Sequence, residues 1–225
     1  MSLSEQLPVK TVVNRVIPKN AFDSYTNTKQ KKQMVDLIER IRWTNKLSLE
    51  TINLSGKEIT EIQLFEIELR KKESVSDLLK VMDKAIPYHV IFQLHYADES
   101  LISTSKKHTH PGDEDTAVID WTFSTDWFDN KDDNYALKLE RNLDYIFLDF
   151  CKQLSGRNDK AKSINDLIVF ETKIGELTRS ITKLNTGISS CKQFNKKVEL
   201  NTELNKKREQ LNLLIFKNTT ESTKQ

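Results

Sequence analysis

The last quarter of the chain carries an unbroken heptad pattern. Leu167, Phe170, Ile174, Leu177, Ile181, Leu184, Ile188 and Cys191 follow one another at alternating spacings of three and four residues, and Asn195 and Val198 continue the count. An apolar repeat of 3.5 residues keeps one stripe of a helix turned toward a partner and imposes a left-handed supercoil. Ile at the a positions (174, 181, 188) with Leu at d (177, 184) favours two parallel strands, and Asn195 at an a position would fix their register. The plainer reading is one amphipathic helix lying on its own domain; the unbroken count favours a partner helix and hence a homodimer. A single helix is expected from about Ile164 to Phe216. Asn185-Thr186-Gly187 offers the alternative of a helical hairpin, since Gly costs about 1 kcal/mol in a helix interior. Phase held through Ile188 favours continuity. Beyond Val198 the phase slips, although Leu200, Leu204, Leu211 and Leu214 keep an apolar stripe.

The remainder is long enough for a packed body. Of 225 residues, 37% are apolar and 30% charged, which fits a large share of solvent-exposed helix. Net charge is only +2, arguing against a general polyanion binder, but it is unevenly spread. Residues 155–225 hold 14 Lys and Arg against 8 Asp and Glu, leaving 21 against 25 in the rest. Lys196, Lys197, Lys206, Lys207 and Arg208 in the tail are candidate phosphate contacts; a solvated basic helix face is the commoner cause of such a run. Cys151 and Cys191 read as small apolar residues in a reducing cytosol. No signal peptide pattern opens the chain, and no apolar run reaches the length of a bilayer span, so a cytoplasmic location without membrane contact is expected.

Periodicity places the elements of the body. Residues 1–27, with Pro8 and Pro18, read as irregular. Met34, Leu37, Ile38 and Ile41 predict a helix over 29–42, with Asn27 or Thr28 as N-cap. Trp43 to Leu54 reads as a connection ending in a short strand, closed by Ser55-Gly56. Glu58 to Arg70 reads as a central strand, apolar on both sides in its first half. Ser74-Val75-Ser76-Asp77 resembles a capping box and opens a helix stopped by Pro87. Three strands follow, over 88–96, 101–107 and 117–123, joined by tight turns as an antiparallel meander. The helix between the 58–70 and 88–96 strands implies one parallel right-handed crossover. A helix over 134–154 ends at Ser155-Gly156. The fold class is therefore α+β: a mixed, mostly antiparallel sheet of four or five strands with flanking helices, then a long C-terminal coiled-coil helix. The division is 1–156 for the body and 157–225 for the tail.

Candidate chemistry is sparse. Glu66 and Glu68 lie on one face of a strand, about 7 Å apart, and paired carboxylates can hold a divalent metal in a nuclease. A restriction-type core wants an upstream Asp and Glu-x-Lys; here Arg70 stands in the Lys position, and Arg cannot act as a neutral base. His108-x-His110 with Asp113, Glu114 and Asp115 has metal-ligand types in one loop, although a polar hairpin tip explains it as well. His89 and His95 read as half-buried sheet residues. Trp121 and Phe123 read as core, and Trp43 and Trp127 are open between core and nucleic-acid stacking. No phosphate loop, nucleophile motif or dinucleotide fingerprint is found, so no cofactor is expected.

Several stretches carry a family resemblance: Arg40-Ile41-Arg42-Trp43, Lys46-Leu47, Glu50-Thr51-Ile52-Asn53-Leu54, Glu61-Ile62-Gln63-Leu64-Phe65-Glu66-Ile67, Ala85-Ile86-Pro87-Tyr88, and the run Gln193 to Asn201. From about Pro18 to Leu214 the chain resembles the domain of unknown function 4391 family of bacteria, archaea and phages. The resemblance implies an α+β body with a coiled-coil C-terminus. It also implies an accessory role beside helicases and DNA methyltransferases of restriction-modification-like or phage-defence systems, with no established activity to transfer. Thr186-Gly187 departs from the charged, continuous helix usual in that family. The expected function is a non-enzymatic, dimeric accessory subunit docking a helicase or methyltransferase. The alternatives are a metal-dependent nuclease on Glu66 and Glu68, and nucleic-acid binding through the basic tail.

Overall fold

A computed structural model of the chain describes residues 2–131, 134–156 and 161–216, with the side chains of 113–116 and 216 outside that description. The chain divides into two compact units, Met1–Gly156 and Arg157–Gln225.

The first unit is built on a mixed sheet. Its strands are β1 (Val12–Val16), β2 (Ile38–Ser48), β3 (Glu61–Leu69), β4 (His89–Tyr96), β5 (Glu99–His110), β6 (Asp113–Ser124) and the short β7 (Phe128–Asp129). Six lie in the order β1-β2-β3-β4-β5-β6, and β7 pairs with β5. All neighbours are antiparallel except β3 and β4, which run parallel across α3 (Ser76–Ala85). The remaining helices of this unit are α1 (Thr28–Leu37), the single turn α2 (Leu49–Ile52) and α4 (Leu143–Leu154).

The expected helix over 29–42 is corrected to a helix followed by a strand. α1 starts where Asn27 Oδ1 accepts from Gln30 N at 2.9 Å and Gln30 Oε1 accepts from Asn27 N at 3.0 Å, a reciprocal cap. It ends at Leu37, and Ile38 to Ser48 pair with β3. Ile38 and Ile41 are three residues apart, which looks helical, but a register shift between Ile38 and Arg40 turns both inward from a strand. The expected helix over 134–154 shortens to α4, because Asn142 Oδ1 accepts from Tyr145 N at 2.8 Å and starts the helix there. The preceding segment is tied down instead by Gln153, which exchanges two hydrogen bonds with the Ala136 backbone. α3 forms as expected and stops before Pro87, but Val75 is its N-cap and no side chain bonds there. The sheet is wider than expected: β1 and β7 are short, mostly exposed pairings without an alternation to betray them.

Core lies on both faces of the sheet. Phe65, Ile67, Leu69, Val90, Phe92 and Leu94 pack with Met34, Leu37, Leu78 and Met82 of α1 and α3. On the opposite face α4 buries Leu143, Ile146, Phe147 and Phe150, with Phe147 edge-on to His89 at 4.8 Å between ring centroids. Lys107 of β5 is fully buried and closes the end of α3. Its ammonium donates to Asp83 Oδ1 at 2.6 Å, to the Asp83 carbonyl at 2.6 Å and to the Ile86 carbonyl at 2.7 Å. All three N–H donors are used, two of them on carbonyls that a helix end leaves unpaired. Gly56 is required by close approach, since a Cβ there would stand 2.1 Å from the Ile59 carbonyl oxygen.

The second unit corrects the expected single helix of 164–216. It is a hairpin of α5 (Ile164–Ser190) and α6 (Phe194–Phe216), turned by Cys191, Lys192 and Gln193. The break falls after Gly187 rather than at it. Thr186, Ser189 and Ser190 each donate to a carbonyl four residues back, and this run of weak helix formers ends at Cys191 in extended backbone. A Cβ on Gly187 would lie 3.8 Å from Leu200 Cδ1, and Arg208 Nη2 donates to Asn185 Oδ1 at 3.5 Å, so α6 returns along α5.

Candidate functional site

The densest polar cluster of the first unit lies on the α4-side face of β2, β3, β4 and β5. Antiparallel and parallel registers bring Arg42, Glu66 and Gln93 into one row and Arg40, Glu68, His95 and Ser100 into the next. Alternation along each strand turns these side chains away from the α1 and α3 core. Arg42 Nη1 lies 3.6 Å from Glu66 Oε2 and Arg42 Nη2 lies 3.7 Å from Glu68 Oε1, while Arg40 Nη1 reaches Glu68 Oε1 at 3.7 Å. Two arginines thus balance two carboxylates.

Glu66 is further occupied. The chain start forms a 3-10 turn over Leu3–Gln6, and Ser2 Oγ and Ser4 Oγ donate to Glu66 Oε1 at 2.5 and 2.6 Å. Gln93 Oε1 accepts from Leu3 N at 3.0 Å and lies 3.2 Å from Ser2 Oγ. Beside it a small cavity of about 230 Å³ is lined by Ser2, Gln93, His95, Ser100, Phe128 and Asn130. Ser100 Oγ donates to Asn130 Oδ1 and stands 2.9 Å from His95 Nδ1, so its lone pair takes the His95 N–H. That direction leaves Ser100 a hydrogen-bond relay and not an activated nucleophile. Burial lowers the His95 pKa, against the pull of Glu66 and Glu68.

The sequence-derived candidates separate in space. Glu66 and Glu68 do share a face, but Arg70 falls beyond β3 and donates through Nε to the Ile38 carbonyl at 3.3 Å. His108 and His110 are exposed at the end of β5: His108 Nδ1 sits 3.0 Å from Asp120 Oδ1, and His110 Nδ1 accepts from Gly112 N at 3.1 Å. The side chains of Asp113, Glu114 and Asp115 fall outside the described residues. Among the described residues no three His, Cys, Asp or Glu side chains converge as metal ligands would. Trp43 stacks on Phe65 at 6.2 Å between centroids, which assigns it to packing. No motif marks Arg42, Gln93, His95 and Ser100 as members of one cluster in the sequence. The available signal was Arg40-x-Arg42 in a strand facing Glu66-x-Glu68, hidden while that segment read as helix.

The tail candidates are redistributed. Leu167, Phe170, Ile174, Leu177, Ile181, Leu184 and Ile188 lie on α5, Cys191 caps it, and Asn195 and Val198 lie on α6. One continuous seam from Leu167 to Val198 therefore does not exist, and Asn195 is exposed instead of pinning a register. Leu204 is buried, and Leu200, Leu211 and Leu214 are half-buried along α6. At about 100° per residue, Lys196 and Lys207 share the direction of Leu200, Lys197 and Arg208 point elsewhere, and Lys206 takes a third direction. The five cations are split around the helix and form no single phosphate-tracking stripe.

A family model described as a domain of unknown function (DUF4391) matches residues 6–211. The chain belongs to this family. The DUF4391 match spans both the sheet unit and the hairpin, whereas Ser2 and Ser4, which hold Glu66, precede it. Comparison with curated proteins and with solved structures finds no match. Among the described residues no helix is long and apolar enough to cross a membrane.

Proposed function

We propose that this chain is a cytoplasmic, non-enzymatic accessory subunit that pairs with its own copy through the C-terminal hairpin. It would dock a helicase or DNA methyltransferase of a restriction-modification-like or phage-defence system, meeting nucleic acid through that partner. The observation that carries this reading is the state of the seam. Phe170, Ile174, Leu177, Ile181, Leu184 and Ile188 are all only half-buried after α6 has folded back on α5. Two helices enclose a seam poorly, and a second hairpin would complete a four-helix bundle with the same a and d residues. Pairing is thus between hairpins and not between two parallel single helices. The helicase or methyltransferase rests on the family resemblance.

Light scattering on the full chain at tens of micromolar tests the assembly. A dimer is expected, converted to monomer by Ile174→Asp with Ile181→Asp while the circular dichroism of the sheet unit persists. A monomer at every concentration overturns it. Co-purification with helicases and DNA methyltransferases of the same cell tests the docking, and failure with both classes discards that half.

The nuclease alternative has weaker support, because Glu66 and Glu68 are engaged by Arg40, Arg42, Ser2 and Ser4. It would require Mg²⁺- or Mn²⁺-dependent cleavage abolished by Glu66→Gln and Glu68→Gln.

A further inference from the structure

A second cavity, of about 340 Å³, lies between α3 and the β4-β5-β6 part of the sheet. Its origin is legible in the register. Ser103 pairs with Ser124 and Ser105 with Thr122, so four small hydroxyl side chains stand on the α3-side face where large apolar ones would close the layer; Ser103 and Ser105 are buried, and Thr122 and Ser124 are exposed at the open side. Leu79, Phe92, Leu94, Leu101 and Trp127 form its apolar wall. The volume is at the small end of ligand pockets, and the mix of apolar wall with a few polar groups is their usual make-up.

Two independent features supply hydrogen-bond donors there. The first is the start of α3: Ser74, Val75 and Ser76 line the cavity, and Val75 as N-cap provides no side-chain acceptor, so the first-turn N–H groups stay uncapped. The second is Ser103, only 5% exposed, which lines the same cavity and whose hydroxyl makes no hydrogen bond to the described residues. The neighbouring hydroxyls are engaged: Ser105 Oγ with Thr122 Oγ1 at 3.0 Å, and Ser124 Oγ with the Thr125 carbonyl at 3.2 Å. With no partner among those residues, that hydroxyl opens onto the cavity and is free to donate to a ligand acceptor.

Charge at the mouth selects against ions. Lys72 is paired with Glu99 and lies over the Trp127 ring, Lys80 pairs with Asp77 at 3.7 Å, and Asp83 is closed by Lys107 at 2.6 Å. Glu73 is left without a cation among the described residues, so an anionic head would meet an unbalanced carboxylate. We propose that this cavity binds a compact, uncharged, mostly apolar ligand of one or two rings, whose hydrogen-bond acceptor takes the Ser103 hydroxyl beside the uncapped first turn of α3. This is independent of the accessory-subunit reading.

Benzamide is the probe, titrated into the ¹⁵N-labelled full chain and followed by amide and indole N–H shifts. Saturable shifts are expected at the Trp127 indole and at residues 75–79 and 103. Ser103→Ala removes one hydrogen bond and should weaken binding about five-fold; Leu79→Trp, which fills the cavity, should abolish it. Benzoate should bind more weakly than benzamide. The proposal is overturned by no saturable shift up to the solubility limit, by shifts confined to other regions, or by unchanged affinity in Ser103→Ala. Benzoate binding as tightly as benzamide overturns the uncharged-ligand assignment.

Discussion

His89 shows how one side chain couples burial to pH. It is buried against Phe147 with no hydrogen-bond partner for Nε2 among the described residues, and burial first, then Lys107 and Lys106, push its pKa down to about 3. In the unfolded chain the ring titrates near 6.5. Between those values the unfolded state binds the extra proton, so the neutral-His stability is whole above about pH 6.5 and is lost as pH falls toward 3. The slope is at most about 1.4 kcal/mol per unit. Denaturant midpoints from pH 7 to pH 5 should therefore fall more steeply for the natural chain than for His89→Leu; equal slopes would refute the assignment. Lys107 makes a second case. Burial lowers its pKa and raises that of Asp83, each opposed by the attraction of the other. Lys107→Met leaves a buried carboxylate and two helix-end carbonyls without their donor, and should cost roughly 3–5 kcal/mol. Adding Asp83→Leu should restore part of that loss in chemical denaturation.

At the scale of elements, the hairpin and α3 contrast in how they end. α3 stops against Pro87 and is closed by Lys107 from another strand, whereas α5 stops on its own weak helix formers. Gly187 is thus not the hinge that its residue type suggests. Its added Cβ would meet Leu200 Cδ1 at an ordinary 3.8 Å. Gly187→Ala should raise stability of the second unit by about 1 kcal/mol and leave the turn at Cys191–Gln193 in place. A gain in helical circular dichroism and in the midpoint of its unfolding checks this; a loss would mean that the glycine is needed for close helix approach.

For the whole molecule, a half-buried seam predicts that stability depends on concentration. If two hairpins complete one bundle, only the assembled form benefits from full burial, and association stabilises by mass action. The melting temperature of the second unit should rise across a hundred-fold increase in protein concentration, and should stop doing so in the Ile174→Asp, Ile181→Asp variant. The sheet unit should melt independently of concentration.

Local patterning was enough to place β3, β4, the β4-β5-β6 meander, the parallel crossover and α3, because each has its own period and its own turn residues. Val90, Phe92 and Leu94 alternate, and Leu78, Leu79 and Met82 recur at helical spacing, whatever surrounds them. Three things were decided only by tertiary structure. Ile38 and Ile41 became strand residues because β3 offered an edge to pair with and a bulge reconciled their spacing. The heptad stripe of α5 found α6 as its first partner because a three-residue turn makes that encounter intramolecular, which spacing alone does not specify. The Arg42-Glu66-Gln93-His95-Ser100 cluster joins strands distant in sequence, and the Ser103 cavity sets α3 over the paired hydroxyls of β5 and β6, so both exist only through register. Periodicity fixes which face of an element is apolar; what that face meets depends on contacts distant in the chain.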